Sequence, residues 1–148
     1  MTTKVSVIIP CYNAARYVGE TLESVRRQTW PDLEVIVVDD GSTDDSVRII
    51  ETFAELDVIL IRQSNRGQTA ALNVGLARAT GDFVQYLDAD DLIDPDKIAI
   101  QMARLADSPG CVASGRRSGA PHSPSHHDSR STRSHARSEC DLRRRARR

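Results

Sequence analysis

Three carboxylates fall within four residues at Asp88, Asp90 and Asp91, directly after the apolar run Phe83-Val84-Gln85-Tyr86-Leu87. Like charges that close repel one another, and a hard divalent cation such as Mg²⁺ or Mn²⁺, with its preference for oxygen ligands, relieves the repulsion. Such a cation commonly keeps one or two protein carboxylates and completes its shell with water and substrate phosphates, so the cluster points to a phosphorylated, nucleotide-like substrate. Arg66 offers a guanidinium for bidentate contact with phosphate oxygens. The adjacent Asp39 and Asp40 can accept hydrogen bonds from a base or ribose, and Tyr12 presents a ring on which a base can stack.

Taken singly, each of these residues has a plainer explanation. Asp90-Asp91 reads as solvated loop charge, Asp40-Gly41-Ser42 as a turn with a helix cap, and Asn65-Arg66-Gly67 as a loop with Gly67 at positive φ. Tyr12 reads as edge packing, Asp94 as a helix cap and Trp30 as core. Their placement along the chain argues for a shared site. Four apolar, β-branched runs, Val5–Pro10, Leu33–Asp39, Val58–Arg62 and Phe83–Leu87, are each of strand length, and each precedes a segment of helical spacing. The helical stripes are Val18, Leu22 and Val25; then Val47, Ile50 and Ala54, entered through Ser42-Thr43-Asp44-Asp45; then Leu72, Leu76 and Ala79, stopped at Thr80-Gly81. The fourth opens on Asp94-Pro95 as cap and first helical residue and continues through Ile98, Met102 and Leu105.

This βαβαβαβα order, with strands apolar on both faces, predicts an open parallel sheet between helices. In such sheets ligands bind beyond the carboxyl ends of the strands. The polar clusters fall there four times: Pro10-Cys11-Tyr12-Asn13, Asp39-Asp40-Gly41-Ser42, Ser64-Asn65-Arg66-Gly67 and Asp88-Ala89-Asp90-Asp91. The substrate-binding set read from them is Pro10, Tyr12, Asn13, Asp39, Asp40, Arg66 and Asp88, with Asp90 and Asp88 for the metal.

Composition divides the 148 residues in two, because the net charge of −1 is a sum of unlike parts. Residues 1–106 hold 10 Lys and Arg against 17 Asp and Glu, a net −7, and all 6 aromatic residues; residues 107–148 hold 10 Arg against 4 acids, a net +6, and all 4 His. The second part lacks apolar periodicity and ends in Arg143-Arg144-Arg145-Ala146-Arg147-Arg148, so 116–148 reads as a disordered basic tail. No secretory signal or membrane span is legible, which predicts a cytoplasmic protein. Three cysteines without C-x-x-C spacing indicate neither a disulfide framework nor a zinc site, and Cys11 reads as a small half-buried residue.

Together the clusters resemble the family 2 glycosyltransferases of GT-A fold. The matching stretches are Val5-Ser-Val-Ile-Ile-Pro-Cys-Tyr-Asn13, Leu22-Glu-Ser-Val25 with Gln28-Thr29, and Glu34-Val-Ile-Val-Val-Asp-Asp-Gly-Ser-Thr-Asp44. They continue with Asn65-Arg-Gly67, Ala70-Ala-Leu-Asn73 before Gly75, Gly81-Asp82, and Leu87-Asp-Ala-Asp-Asp91 with Pro95. The resemblance covers about residues 3–106 and implies a Rossmann-like GT-A sheet and transfer of a sugar from a nucleotide-diphosphate donor with inversion, aided by a divalent metal. It further implies that Pro10, Tyr12 and Asp39 line the base pocket, that Arg66 lies near the nucleotide, and that Asp88-Ala89-Asp90 is the D-x-D motif, with Asp88 near the ribose and Asp90 on the metal.

The family's acceptor-binding half, with its general base, follows the D-x-D helix. Here Pro109-Gly-Cys-Val-Ala-Ser-Gly115 reads as the start of another strand, after which the pattern stops, and Asp128, Glu139 and Asp141 have no context that marks a base. The reading is therefore a truncated donor-binding domain at 1–115, incomplete as a fold, with a catalytic residue unknown and a tail that reads as an out-of-frame or truncated gene end. General-base catalysis is commonly worth about 10²–10⁴-fold, so such a chain is expected to bind donor and transfer slowly or not at all. The acceptor, whether glycan, lipid or another hydroxyl, is unspecified, and no specific nucleic acid is expected.

The alternative is a non-catalytic nucleotide-binding fragment or regulatory module whose Arg-rich tail binds polyanions. The tail lacks the aromatic interleaving of many single-strand binders, and His122, His126 and His127 read as a chance cluster. A haloacid-dehalogenase-type phosphatase would need Thr or Val where Leu92 stands and its motif on the first strand; a receiver domain would need its acidic pair after strand one.

Overall fold

The computed structural model describes residues 3–107. The boundary at 115, the segment 109–115, the basic tail with its histidines, and Asp128, Glu139 and Asp141 lie outside the described residues. Strands β1 (Val5–Cys11), β2 (Leu33–Asp39), β3 (Ile59–Arg62) and β4 (Phe83–Tyr86) form one parallel sheet in the order β3-β2-β1-β4. Helices α1 (Val18–Arg26), α2 (Ser46–Glu51), α3 (Gln68–Arg78) and α4 (Lys97–Asp107) follow the strands in turn. The expected α/β architecture is present, with every strand within a residue of its apolar run.

Side chains leave a strand on alternate faces, and β1 and β2 are apolar on both. Val5, Val7, Ile9 and Cys11 join Val35 and Val37 under α1, α2 and α4. Ile8, Ile36 and Val38 join Val84 under α3. Strand pairing runs Val5↔Leu33 to Cys11↔Asp39 on one side of β1 and Val5↔Phe83 to Ile8↔Tyr86 on the other. Successive strands thus step outward from β1 to β3, and then β4 returns to the opposite side of β1. Ligand crevices open at such a reversal, here beyond the ends of β1 and β4.

The Val18, Leu22 and Val25 stripe is buried as expected. Three details differ. Helix α2 has only six residues: Ile50 is buried, but Ala54 lies in a separate 3₁₀ turn, Ala54–Leu56, and is exposed. In α3 the buried stripe is Ala71, Gly75 and Ala79, with Leu72 and Leu76 only partly covered. A Cβ on Gly75 would stand 2.4 Å from Ile8 Cγ2, so the helix lies on the sheet at a distance that only glycine permits and turns its small residues inward. Helix α4 begins at Lys97; Asp94-Pro95 instead opens a turn in which the Lys97 N–H donates to the Asp94 carbonyl at 3.0 Å. Cys11 is fully buried rather than half-buried, and burial pushes its thiol pKa up. Trp30 packs on the core, and its Nε1 donates to the Thr3 carbonyl at 2.9 Å. No helix among the described residues is long and apolar enough to cross a membrane.

Candidate functional site

Beyond the ends of β1 and β4 lies a cleft of about 650 Å³. Pro10, Tyr12 and Asn13 line it from β1, Asp40 from β2, and Asp88 and Asp90 from β4. These six of the eight residues singled out from sequence share one surface. Asp39 and Arg66 are not among its lining. Asp39 is 1% exposed beneath the floor, and Arg66 is exposed to solvent. Tyr17, Asn65, Gly67 and Gln68 also line the cleft; Tyr17 and Gln68 went unnoticed in sequence because each belongs to the approach or first turn of a helix.

Each wall is held by side chains from a neighbouring loop. The β1 chain turns sharply at Asn13, whose φ of 47° lies in the left-handed region that Asn tolerates better than most residues. The Asn13 side-chain oxygen accepts from Thr43 N–H at 2.8 Å, and its own N–H donates to Ser42 Oγ at 2.9 Å. Ala14 N–H donates to Ser46 Oγ at 2.8 Å and Ala15 N–H to Asp44 Oδ2 at 3.0 Å. Asp44 also accepts from the Ser46 N–H and hydroxyl. Burial would raise the Asp44 pKa, but these hydrogen bonds outweigh it and hold the carboxyl below its usual range. The acidic entry to α2 thus fastens the β1 loop, and no side-chain cap forms at Asp45.

Asp40 fastens the β3–α3 loop in the same way. Its Oδ1 accepts from Gln63 Nε2 at 2.7 Å and Arg66 N–H at 2.8 Å, and its Oδ2 accepts from Gly67 N–H at 2.7 Å. Burial would raise its pKa, yet the three donors hold it below the ordinary carboxylate value. Both oxygens of Asp40 are thus engaged within the protein, giving it a loop-holding duty that its sequence context did not announce. Gly67 has φ 88°, as its loop context predicts.

Asp39 is different. Its Oδ1 accepts from Ser42 N–H at 3.2 Å, but Oδ2 is buried without a hydrogen-bond partner, 3.9 Å from Arg62 Nε. A buried acceptor left unpaired costs about 1–3 kcal/mol.

On the β4 side, Ala89 is buried in the core while Asp88 and Asp90, flanking it, line the cleft. Asp88 Oδ1 accepts from Gln68 Nε2 at 2.9 Å, and the Asp91 N–H donates to the Asp88 carbonyl at 3.1 Å, closing a turn. Among the described residues no group of three or more His, Cys, Asp and Glu converges. Two carboxylates one residue apart are nevertheless the kind of hard-oxygen set that Mg²⁺ or Mn²⁺ accepts, with phosphates and water supplying the rest of its shell.

Comparisons with known proteins show the family and the fold. The family model described as Glycosyl transferase family 2 matches residues 6–146. The chain is 37% identical to the glycosyltransferase GlyA of Streptococcus pneumoniae over 114 residues, 76% of this chain and 16% of that one. It is 47% identical to the uncharacterized glycosyltransferase YibD of Escherichia coli over 96 residues, 64% of this chain and 28% of that one. Among solved structures, S. aureus TarS in complex with UDP-GlcNAc is similar with a TM-score of 0.68 and 36% identity, over 70% of this chain and 31% of that one. The mannosyltransferase PcManGT from Pyrobaculum calidifontis, in complex with GDP-Man and Mn²⁺, has a TM-score of 0.68 and 37% identity, over 73% and 34%. The chain therefore spans about a third or less of the length of each of these proteins.

Proposed function

Because the chain belongs to glycosyl transferase family 2, we propose that its cleft binds a nucleoside-diphosphate sugar and that the described residues are the donor-binding part of an inverting, divalent-metal-assisted sugar transferase. The observation that carries this reading is the shared cleft at the sheet's reversal point, which has a tyrosine ring on its β1 wall and a carboxylate pair on its β4 wall. The donor complexes of TarS and PcManGT support the substrate class.

In this reading the base lies against Pro10 and Tyr12, and an N–H of the base or an adjacent loop shift satisfies the buried Asp39 Oδ2. Asp88 faces the ribose, while Asp90, with Asp88, would hold Mn²⁺ or Mg²⁺. A divalent cation bound there would act as a Lewis acid on the leaving diphosphate. Arg66, exposed on a loop whose backbone Asp40 fixes, is free to swing its guanidinium toward phosphate oxygens. Asn13 orients the β1 turn and lines the cleft beside Tyr12. Of the carboxylates that line the cleft, Asp40 has both oxygens hydrogen-bonded within the protein, and on this reading Asp88 and Asp90 serve the donor and its metal.

Calorimetry with UDP-, GDP- and dTDP-sugars, with and without Mn²⁺, tests the reading. Metal-dependent binding that Asp90→Ala abolishes is the expected result, and binding unchanged by that substitution would remove the metal assignment. A donor-hydrolysis or transfer assay on the same samples then separates a transferase from a nucleotide-binding module without turnover.

A further inference from the structure

The backbone between the two cleft carboxylates is held from a direction that none of the roles above uses. Thr21, in the middle of α1, is fully buried, and its hydroxyl donates to the Ala89 carbonyl at 2.8 Å. One turn on, Ser24 Oγ accepts from Ile93 N–H at 3.3 Å while donating to the Thr21 carbonyl at 2.7 Å. A further turn on, Gln28 donates from Nε2 to the Asp94 carbonyl at 2.7 Å and accepts at Oε1 from Ile98 N–H at 3.2 Å. Thr21 and Ser24 lie one turn apart on α1 and Gln28 two residues beyond its end, and their partners at 89, 93, 94 and 98 follow in the same order. The contacts form a polar rail from α1 and the residues just after it to the segment that leads from Asp88 and Asp90 into α4.

We propose that Thr21, Ser24 and Gln28 are positioning residues that set where the Asp88–Asp90 pair stands relative to the β1 wall. The inference rests on the reading of that pair as metal-binding. Helix α1 is continuous with the β1 turn: the N–H groups of Tyr17 and Val18 both donate to the Ala14 carbonyl, and Tyr17 and Ala14 line the cleft. One rigid element therefore touches both walls, and it registers the carboxylates against the nucleotide. The polarity of the rail is also informative. A loop carbonyl between two carboxylates can be satisfied by water or by its own turn, but here it is met by a buried hydroxyl on a helix whose other inward residues, Val18, Leu22 and Val25, are apolar. Ala89 adds a second anchor, because its methyl group is packed in the core and prevents the segment from rotating about the hydrogen bond.

The test compares Thr21→Val, which keeps the shape and loses the hydroxyl, with Thr21→Ser, which keeps the hydroxyl, in the full chain. Two quantities are read: amide hydrogen exchange at residues 88–93, and the Mn²⁺ concentration that half-saturates the enhancement of UDP or GDP binding. Removing a group that hydrogen-bonds a metal ligand itself typically weakens metal affinity by about 10–100-fold. Thr21 holds the backbone one residue from each carboxylate, so Thr21→Val is expected to act at the lower end of that range, raising the half-saturating Mn²⁺ concentration by about tenfold and speeding exchange at 88–93. Nucleotide binding without metal should stay within about twofold, the difference that separates positioning from general damage, and Thr21→Ser should behave as the unaltered chain. If Thr21→Val matches the unaltered chain in both readouts, or if Thr21→Ser is as impaired as Thr21→Val, the proposal is overturned. Should Thr21→Val not fold, Ser24→Ala, at a half-buried position, decides: faster exchange at Ile93 with weaker Mn²⁺ dependence supports the rail, and no change in either overturns it. Asp90→Ala is run alongside. Metal dependence that survives it removes the metal reading alone, and the rail is then judged on amide exchange.

Discussion

Strand β2 begins and ends in buried carboxylates that live in opposite circumstances. At its start, Glu34 Oε2 accepts from Ser6 Oγ at 2.6 Å and Thr80 N–H at 2.9 Å, and Oε1 accepts from Thr80 Oγ1 at 2.8 Å with Lys4 Nζ 3.5 Å away. Ser6 Oγ in turn accepts from Gly81 N–H at 2.9 Å. At its end, Asp39 keeps one oxygen without a hydrogen bond. Both groups lost their water on folding, but only Glu34 was compensated in full. Burial tends to raise the Glu34 pKa, and the hydrogen bonds and Lys4 reverse that tendency and bring it down to about 2. The amino end of the sheet is therefore built for stability, and the carboxyl end leaves an acceptor open at a cost to stability. On the proposed function, that asymmetry fits an edge that binds ligand.

The largest expected effect comes from the saturated end. Glu34→Ala strands the Thr80 N–H and two hydroxyls and should lower unfolding stability by about 3 kcal/mol in denaturant titrations, leaving nucleotide affinity unchanged. The same network predicts a pH dependence of definite sign. A carboxyl at about 2 in the folded chain, against its ordinary 4.5, contributes stability that is complete above pH 4.5 and is lost as the pH falls toward 2. Melting curves of the unaltered chain should thus converge with those of Glu34→Gln over that window and separate above it. Next in size is Asp40→Ala, which frees the N–H groups of Arg66 and Gly67 and should cost about 2 kcal/mol, together with weaker nucleotide binding through a loosened α3 entry. The smallest effect tests the open end. On the proposed function, Asp39→Asn should reduce nucleotide affinity by about tenfold, or about 1.4 kcal/mol, while leaving stability unchanged or raised. A destabilised Asp39→Asn chain with intact nucleotide affinity would erase the contrast between the two ends.

Much of this architecture is legible in the sequence, because buried parallel strands need apolar, β-branched runs and four such runs recur, three of them with a single polar residue inside. The binding edge is legible for the same reason: polar residues that follow such runs have only one edge of the sheet to occupy. What escaped is what depends on pairs distant in the chain. Glu34, Ser6 and Thr80 each look unremarkable alone, and their 28- and 46-residue separations hide the network they form. Thr21 reads as a neutral interruption of an apolar stripe until Ala89 is brought to it, 68 residues on. Adjacent acids were likewise indistinguishable in sequence, yet Asp40 fastens a loop while Asp39 is left partly unpaired. Along α3 hydrophobic size points to Leu72 and Leu76, whereas the close contact with the sheet buries Ala71 and Gly75 instead, and only Ala79 of the expected stripe is buried.

That close approach of α3 to Ile8 acts as a gauge for the cleft. The helix descends until its backbone meets an isoleucine methyl group, and its first residue, two turns earlier, then lies at bonding distance from Asp88. The aperture between the α3 and β4 walls is calibrated by an atom that glycine does not have, at a residue outside the cleft lining. Any methyl-bearing residue at 75 would act as a shim, widening the opening with every wall residue still in place.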